Sequence, residues 1–119
     1  MATARHIAPI FPVRDLDAAL AFYQRLGFAV RPYFGGGYGF ASRDGIELHL
    51  SVVPGDEQRF GVAYLFVDDS DAMAAAWRAA GVEVNTPQDT EWRQHEGAVV
   101  DPDGNVIRFG SPMPDEDAS

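Results

Sequence analysis

Apolar and polar positions along this chain follow two periods, and the switch between them occurs twice. A weak period-two pattern over residues 6–13 carries Pro9 and Pro12. Proline donates nothing to a ladder, so this predicts a strand that is at an edge, bent, or paired with another chain. Leu16, Leu20, Tyr23 and Leu26 then recur at helical spacing, with Asp15 placed to cap, Asp17 in the first turn and Gly27 to end the helix. Residues 28–34 read as a strand, Gly35-Gly36-Gly37 as a turn and 38–42 as a second strand. A third strand over 46–53 follows the turn at Asp44-Gly45. The unit is βαβββ.

The order then repeats. Residues 62–67 alternate as a strand, 71–80 form a helix begun near Asp69 or Ser70, and 82–84 open the next strand. Residues 96–100 and 105–109 flank the turn Asp101-Pro102-Asp103-Gly104, where proline presets φ and glycine supplies a positive φ. Without a gap, residues 13–30 reappear as 67–84: Val13, Asp15, Asp17, Ala18, Ala21, Gly27 and Val30 fall on Val67, Asp69, Asp71, Ala72, Ala75, Gly81 and Val84, and Tyr23 falls on Trp77. Self-similarity at a fixed offset means two copies of one supersecondary unit. A copy of some fifty residues buries too little surface to stand alone, so the copies are expected to pack together with a functional cleft between them. The expected organisation is one domain over 1–119: unit one at about 5–53, a linker at 54–60, unit two at about 61–110 and a disordered acidic tail at 111–119.

Composition narrows the function. The chain has 119 residues, 46% hydrophobic and 23% charged, as in an ordinary soluble globular protein. No run is long enough to span a bilayer, and the opening residues lack a signal peptide's apolar segment; the expected location is cytoplasmic. The absence of cysteine removes disulfides, thiolate metal sites and cysteine nucleophiles. A formal charge of −9 with no lysine argues against a grip on nucleic-acid phosphates. It favours cationic ligands instead, wherever the acidic groups line a cleft.

The phrase Val13-Arg14-Asp15-Leu16 leading to Phe22-Tyr23 and Leu26-Gly27-Phe28, the two βαβββ units and the late Asp101-Pro102-Asp103-Gly104-Asn105 together resemble the vicinal oxygen chelate superfamily. That group includes glyoxalase I, extradiol dioxygenases, fosfomycin-modifying enzymes and bleomycin resistance proteins. The resemblance extends from about Ile7 to Gly110 and is strongest to the bleomycin resistance proteins, through Ala8-Pro9, the Asp44-Gly45 hairpin and Glu91-Trp92. It implies an α+β fold in which two βαβββ units form a curved mixed sheet around a cleft. The four metal positions of the metal-dependent relatives fall here on Ala8, Glu47, Val62 and Arg108. Only Glu47 carries a metal donor, so no metal and no cofactor are expected.

With Ala8 and Glu47 facing inward, strand alternation puts Ile10, His49, Ser51, Tyr64, Phe66, Val106 and Arg108 on the same surface, a mixture of aromatic faces and a few polar groups. Tyr33, Phe34, Tyr38 and Phe40 flank the triple glycine, and Trp92 stands in a polar loop over 88–95. Flat rings there suit planar aromatic ligands and cations. The resemblance implies that Trp92, Ser51, Tyr33 and Phe34 line a drug groove. Arg93 departs from it, because many relatives carry glycine after the tryptophan. The bland alternatives are that Tyr64 and Phe66 are simple core and that His49 is a structural histidine. No nucleophile elbow or dinucleotide loop is present.

The expected ligand-binding set is therefore Tyr33, Phe34, Phe40, Glu47, His49, Ser51, Tyr64, Phe66, Trp92, Arg93 and Arg108, with no catalytic group assigned. The resemblance implies a homodimer that sequesters a bleomycin-like cationic planar drug or another planar natural product, and the composition points to no membrane and no nucleic-acid partner. The alternative is a glyoxalase- or dioxygenase-like enzyme acting on a small carbonyl or epoxide with an atypical or absent metal site.

Overall fold

The computed structural model describes residues 2–55 and 59–114. Within them the element order is β1 (Ile10–Val13), α1 (Leu16–Arg25), β2 (Ala29–Pro32), β3 (Tyr38–Arg43), β4 (Ile46–Val52), β5 (Val62–Phe66), α2 (Ser70–Ala79), β6 (Asn85–Asp89), β7 (Gln94–Val100) and β8 (Val106–Pro112). Two βαβββ units are borne out, each with its own mixed four-stranded sheet, ordered β1-β4-β3-β2 and β5-β8-β7-β6. The chain divides into two compact units; the first runs to Gly61 and also takes in Pro102–Asn105, and the second holds Val62–Asp101 and the chain from Val106.

In the first unit, Asp15 caps α1 by accepting from the Ala18 amide at 3.2 Å, and Gly27 leaves the helix at φ +90. The helix covers one face of the sheet. Tyr23 is its buried centre, with Phe22, Phe28 and Phe11 around it at centroid distances of 5.2, 6.0 and 6.4 Å. Leu48, Leu50 and Ala41 are buried beneath it, so alternation turns Glu47, His49 and Ser51 to the opposite face. β1 is an edge strand, as its prolines predict, and pairs in parallel with β4; it starts at Ile10, later than the expected residue 6.

The Asp101-Pro102-Asp103-Gly104-Asn105 turn serves this edge. Fully buried Asn105 donates from Nδ2 to the Pro12 carbonyl at 2.8 Å and accepts from the Gly61 amide at 2.7 Å. The Asp103 carboxylate accepts from the Arg14 amide at 2.9 Å. These bonds fasten the C-terminal end of β1 and the residue before β5.

In the second unit, Asp69 caps α2 by accepting from the Ala72 amide at 3.0 Å. Trp77 takes the place of Tyr23 and meets Phe109 edge to face at 4.8 Å. Ser70 and Ser111 are buried together, Oγ to Oγ at 2.9 Å. Two expectations are corrected here. The strand expected at 82–84 lies instead at Asn85–Asp89, so the expected polar loop over 88–95 is the tip of a hairpin between β6 and β7. Ser111 and Pro112, expected in the tail, belong to β8; residues 115–119 of that tail, and 56–58 of the expected linker, lie outside the described residues.

Candidate functional site

The open face of the first sheet is aromatic and weakly acidic. Antiparallel pairing sets Phe40 opposite His49 and Tyr38 opposite Ser51. The imidazole of His49 is gripped by two rings, Phe40 at 4.9 Å and Tyr38 at 5.4 Å, both near perpendicular. Its Nδ1 lies 2.7 Å from the Tyr38 hydroxyl and its Nε2 3.3 Å from a Glu47 oxygen. The other Glu47 oxygen has His6 at 3.8 Å. Arg31 lays its guanidinium over the Phe40 ring at 4.0 Å, a cation–π contact that occupies one face of that ring. Tyr33 is half-exposed and Phe34 fully exposed in the turn before β3, 6.5 Å apart and edge to face.

The second unit holds a cavity of about 630 Å³ lined by Asn85, Gln88, Asp89, Trp92, Glu96 and Arg108, among others. Trp92 rides on the β6–β7 hairpin, whose base is closed by the Thr90 amide and hydroxyl donating to the Gln94 carbonyl at 3.0 and 2.9 Å. Its indole donates to Glu96 at 3.0 Å, which fixes the ring while leaving the residue 58% exposed. A large aromatic surface is thus held open to solvent by a polar bond at its edge, the arrangement of a stacking platform rather than of core. Arg93 follows at φ +66, a left-handed conformation in which glycine is favoured. Its guanidinium donates to the Pro114 carbonyl, away from the cavity lining. The tilted rings of Tyr64 and Phe66 lie 4.8 Å apart on β5, and Phe66 is largely exposed, so the simple-core alternative does not hold for Phe66. The Tyr64 hydroxyl is buried with no hydrogen-bond partner among the described residues; burial first, and then the Glu96 carboxylate, push its pKa up to about 12.

His95 anchors the same hairpin from its other side. Its Nδ1 lies 2.8 Å from Asp89 at the end of β6, and its Nε2 lies 2.9 Å from Asp71 in the first turn of α2. Both partners are acceptors, which suits the doubly protonated ring, and the two hydrogen-bonded carboxylates, Asp71 first, raise the pKa above its ordinary 6.5. A raised folded-state pKa gives stability that is full below about pH 6.5 and is lost as pH rises through the folded value. A small fall in melting temperature is expected across that interval, small because Asp71 and Asp89 are largely exposed, and it should vanish in His95→Gln. An NMR titration in which His95 titrates no higher than His6 would refute the assignment.

The structure thus brings Phe40, Glu47, His49 and Ser51 onto one face of the first sheet, with Tyr33 and Phe34 in the adjoining turn. It sets Trp92 and Arg108 at the cavity of the second unit, with Tyr64 and Phe66 on β5 of the same unit. Glu96 and Asp89 belong to these surfaces and were not among the expected site residues; Tyr38, singled out for its ring beside the triple glycine but left out of the expected set, meets His49 through the β3–β4 register. Among the described residues, no three His, Asp or Glu side chains are grouped so as to hold a metal ion. No helix is long and apolar enough to cross a membrane.

Comparison with known proteins follows this geometry. Residues 3–109 match the Glyoxalase family, described as the Glyoxalase/Bleomycin resistance protein/Dioxygenase superfamily. A bleomycin resistance protein of Klebsiella pneumoniae is 28% identical over 111 residues, spanning 85% of this chain and 87% of its own. Among solved structures, a bleomycin resistance determinant encoded on the transposon Tn5 superposes with a TM-score of 0.81 at 25% identity, covering 93% of this chain and 100% of that one. A bleomycin-binding protein in complex with bleomycin superposes with a TM-score of 0.79 at 26% identity, covering 92% and 100%.

Proposed function

The chain belongs to the Glyoxalase/Bleomycin resistance protein/Dioxygenase superfamily, and we propose that within it this protein is a non-catalytic binder that sequesters a cationic, planar drug of the bleomycin class. The observation that carries this reading is Trp92: an indole locked by Glu96, its face open beside a cavity whose wall includes the Asp89 and Glu96 carboxylates. A planar heteroaromatic group stacks on the ring, and the carboxylates favour a positive charge next to it. Within the first unit, Phe40, Glu47, His49 and Ser51, with Tyr33 and Phe34, form an aromatic and acidic surface of their own. Arg93 directs its guanidinium to the Pro114 carbonyl. Sequestration needs only affinity, since bound drug is removed from the free pool by mass action. The working form in this reading is a homodimer with one ligand per chain, which sedimentation in the presence and absence of drug measures.

The test is tryptophan fluorescence titrated with metal-free and copper-loaded bleomycin. Buried Trp77 provides a constant background, so saturable quenching reports Trp92. Calorimetry on Trp92→Ala is expected to show binding weakened by about 2 kcal/mol, roughly thirtyfold. No response of the wild type at micromolar drug would sink the bleomycin reading and send the search to other planar ligands. The second reading, an enzyme acting on a small carbonyl or epoxide, draws on Glu47 standing between His6 and His49. Turnover of such a substrate that is abolished in Glu47→Ala would favour it.

A further inference from the structure

The open face of the first sheet lines up the polar groups of Tyr38, His49 and Glu47 in a chain of close contacts. Glu47 accepts only, so the tautomer that suits this contact is the one whose Nε2–H faces Glu47 across 3.3 Å. That leaves Nδ1 with its lone pair, and the Tyr38 hydroxyl, 2.7 Å away, donates to it. The edge-on rings of Tyr38 and Phe40 hold the imidazole in this orientation. A nucleophile, a base that faces its proton and a third group that orients the base are the parts of an activated side chain. The other tyrosines lack them: Tyr23 is fully buried, the Tyr64 hydroxyl is buried, and Tyr33 is half-exposed with a ring rather than an imidazole beside it.

We propose that Tyr38, His49 and Glu47 form a proton relay that makes the Tyr38 phenol a nucleophile, giving the protein a covalent capture site for electrophilic acyl or sulfonyl compounds. With an arylsulfonyl fluoride the Tyr38 oxygen attacks sulfur, the S–F bond breaks and fluoride departs with the bonding pair. The phenolic proton passes to His49 Nδ1. Glu47 steadies the resulting imidazolium through Nε2, and the proton is then released to solvent, leaving a sulfonate ester on Tyr38. Glu47 is a positioning residue in this scheme. The site lies wholly within the first unit and does not depend on the drug-binding reading.

The experiment exposes the full chain to benzenesulfonyl fluoride and follows labelling by intact mass and peptide mapping. Tyr38 is expected to label tenfold or more faster than Tyr33, the internal control for an exposed phenol without a base, on the scale of ~10²-fold that a positioned base contributes. His49→Phe should bring Tyr38 down to the Tyr33 rate, and added imidazole should restore part of the loss, which no structural role of His49 explains. Glu47→Gln should slow labelling by less than His49→Phe does. Equal labelling of Tyr33 and Tyr38 in the wild type, which needs no variant to fold, overturns the proposal. So does a folded His49→Phe chain that labels at the wild-type rate or ignores imidazole.

Discussion

Trp77→Ala is expected to cost about 3–5 kcal/mol, a large part of the stability of a chain this size, through the cavity left when a fully buried ring is removed. The reason lies in the composition of α2. Five of its ten residues are alanine, and only Ser70, Ala74 and Trp77 are buried, so a single side chain supplies most of the apolar surface the helix presents to its sheet. Trp77 is 1% exposed and packs edge-on against Phe109, itself buried. In the first unit the corresponding Tyr23 shares the task with Leu20, Phe22 and Leu26, so the burden is spread. Chemical denaturation followed by circular dichroism measures the loss. A cost below about 1 kcal/mol would mean that the second sheet repacks around the gap and that α2 is held by its cap and backbone alone.

Asn105→Ala is expected to cost about 2–4 kcal/mol, because one small truncation strands the Pro12 carbonyl and the Gly61 amide together. Gly61 precedes β5, so its amide lies outside that strand's ladder. Hydrogen exchange gives a sharper readout than melting, since the Gly61 amide should lose its protection while amides in the β3–β4 ladder keep theirs near the top of the range. Unchanged Gly61 protection would show that water replaces the side chain without penalty.

Most of the fold is written locally. Asp15 and Asp69, each followed two residues later by another aspartate and then by an alanine-rich or leucine-spaced stretch, announce both helices, and Gly27 and Gly81 end them at positive φ. β6 is not legible in that way. Asn85-Thr86-Pro87-Gln88-Asp89 has no alternation, carries a proline and pairs with β7 through a bulge, so its extended form is imposed by the neighbouring strand rather than by its own residues. Gly97 marks the place: a Cβ there would meet the Asn85 carbonyl at 2.6 Å and the Phe109 ring at 2.8 Å.

The site divides along the same line. Trp92 stands out because a large ring in a polar stretch has few structural uses, and Glu47, His49 and Ser51 follow from period two once the face is chosen. Their partners do not. Tyr38 meets His49 only because the β3–β4 register brings together residues eleven apart, and Asp71 reaches His95 only because α2 packs over β7. The conformation of Arg93 is likewise set by the hairpin tip and has no signature in a residue type that usually avoids positive φ.

The four residues Pro102–Asn105, returned to the first unit by a chain otherwise building the second, give the repeat a history that its sequence symmetry hides. Two copies of an ancestral segment would at first have been interchangeable. Once Asn105 and Asp103 came to complete the first copy, the copies ceased to be modules: a crossover in the linker delivers a first half lacking its own fastening, and deletion of the second half removes it altogether.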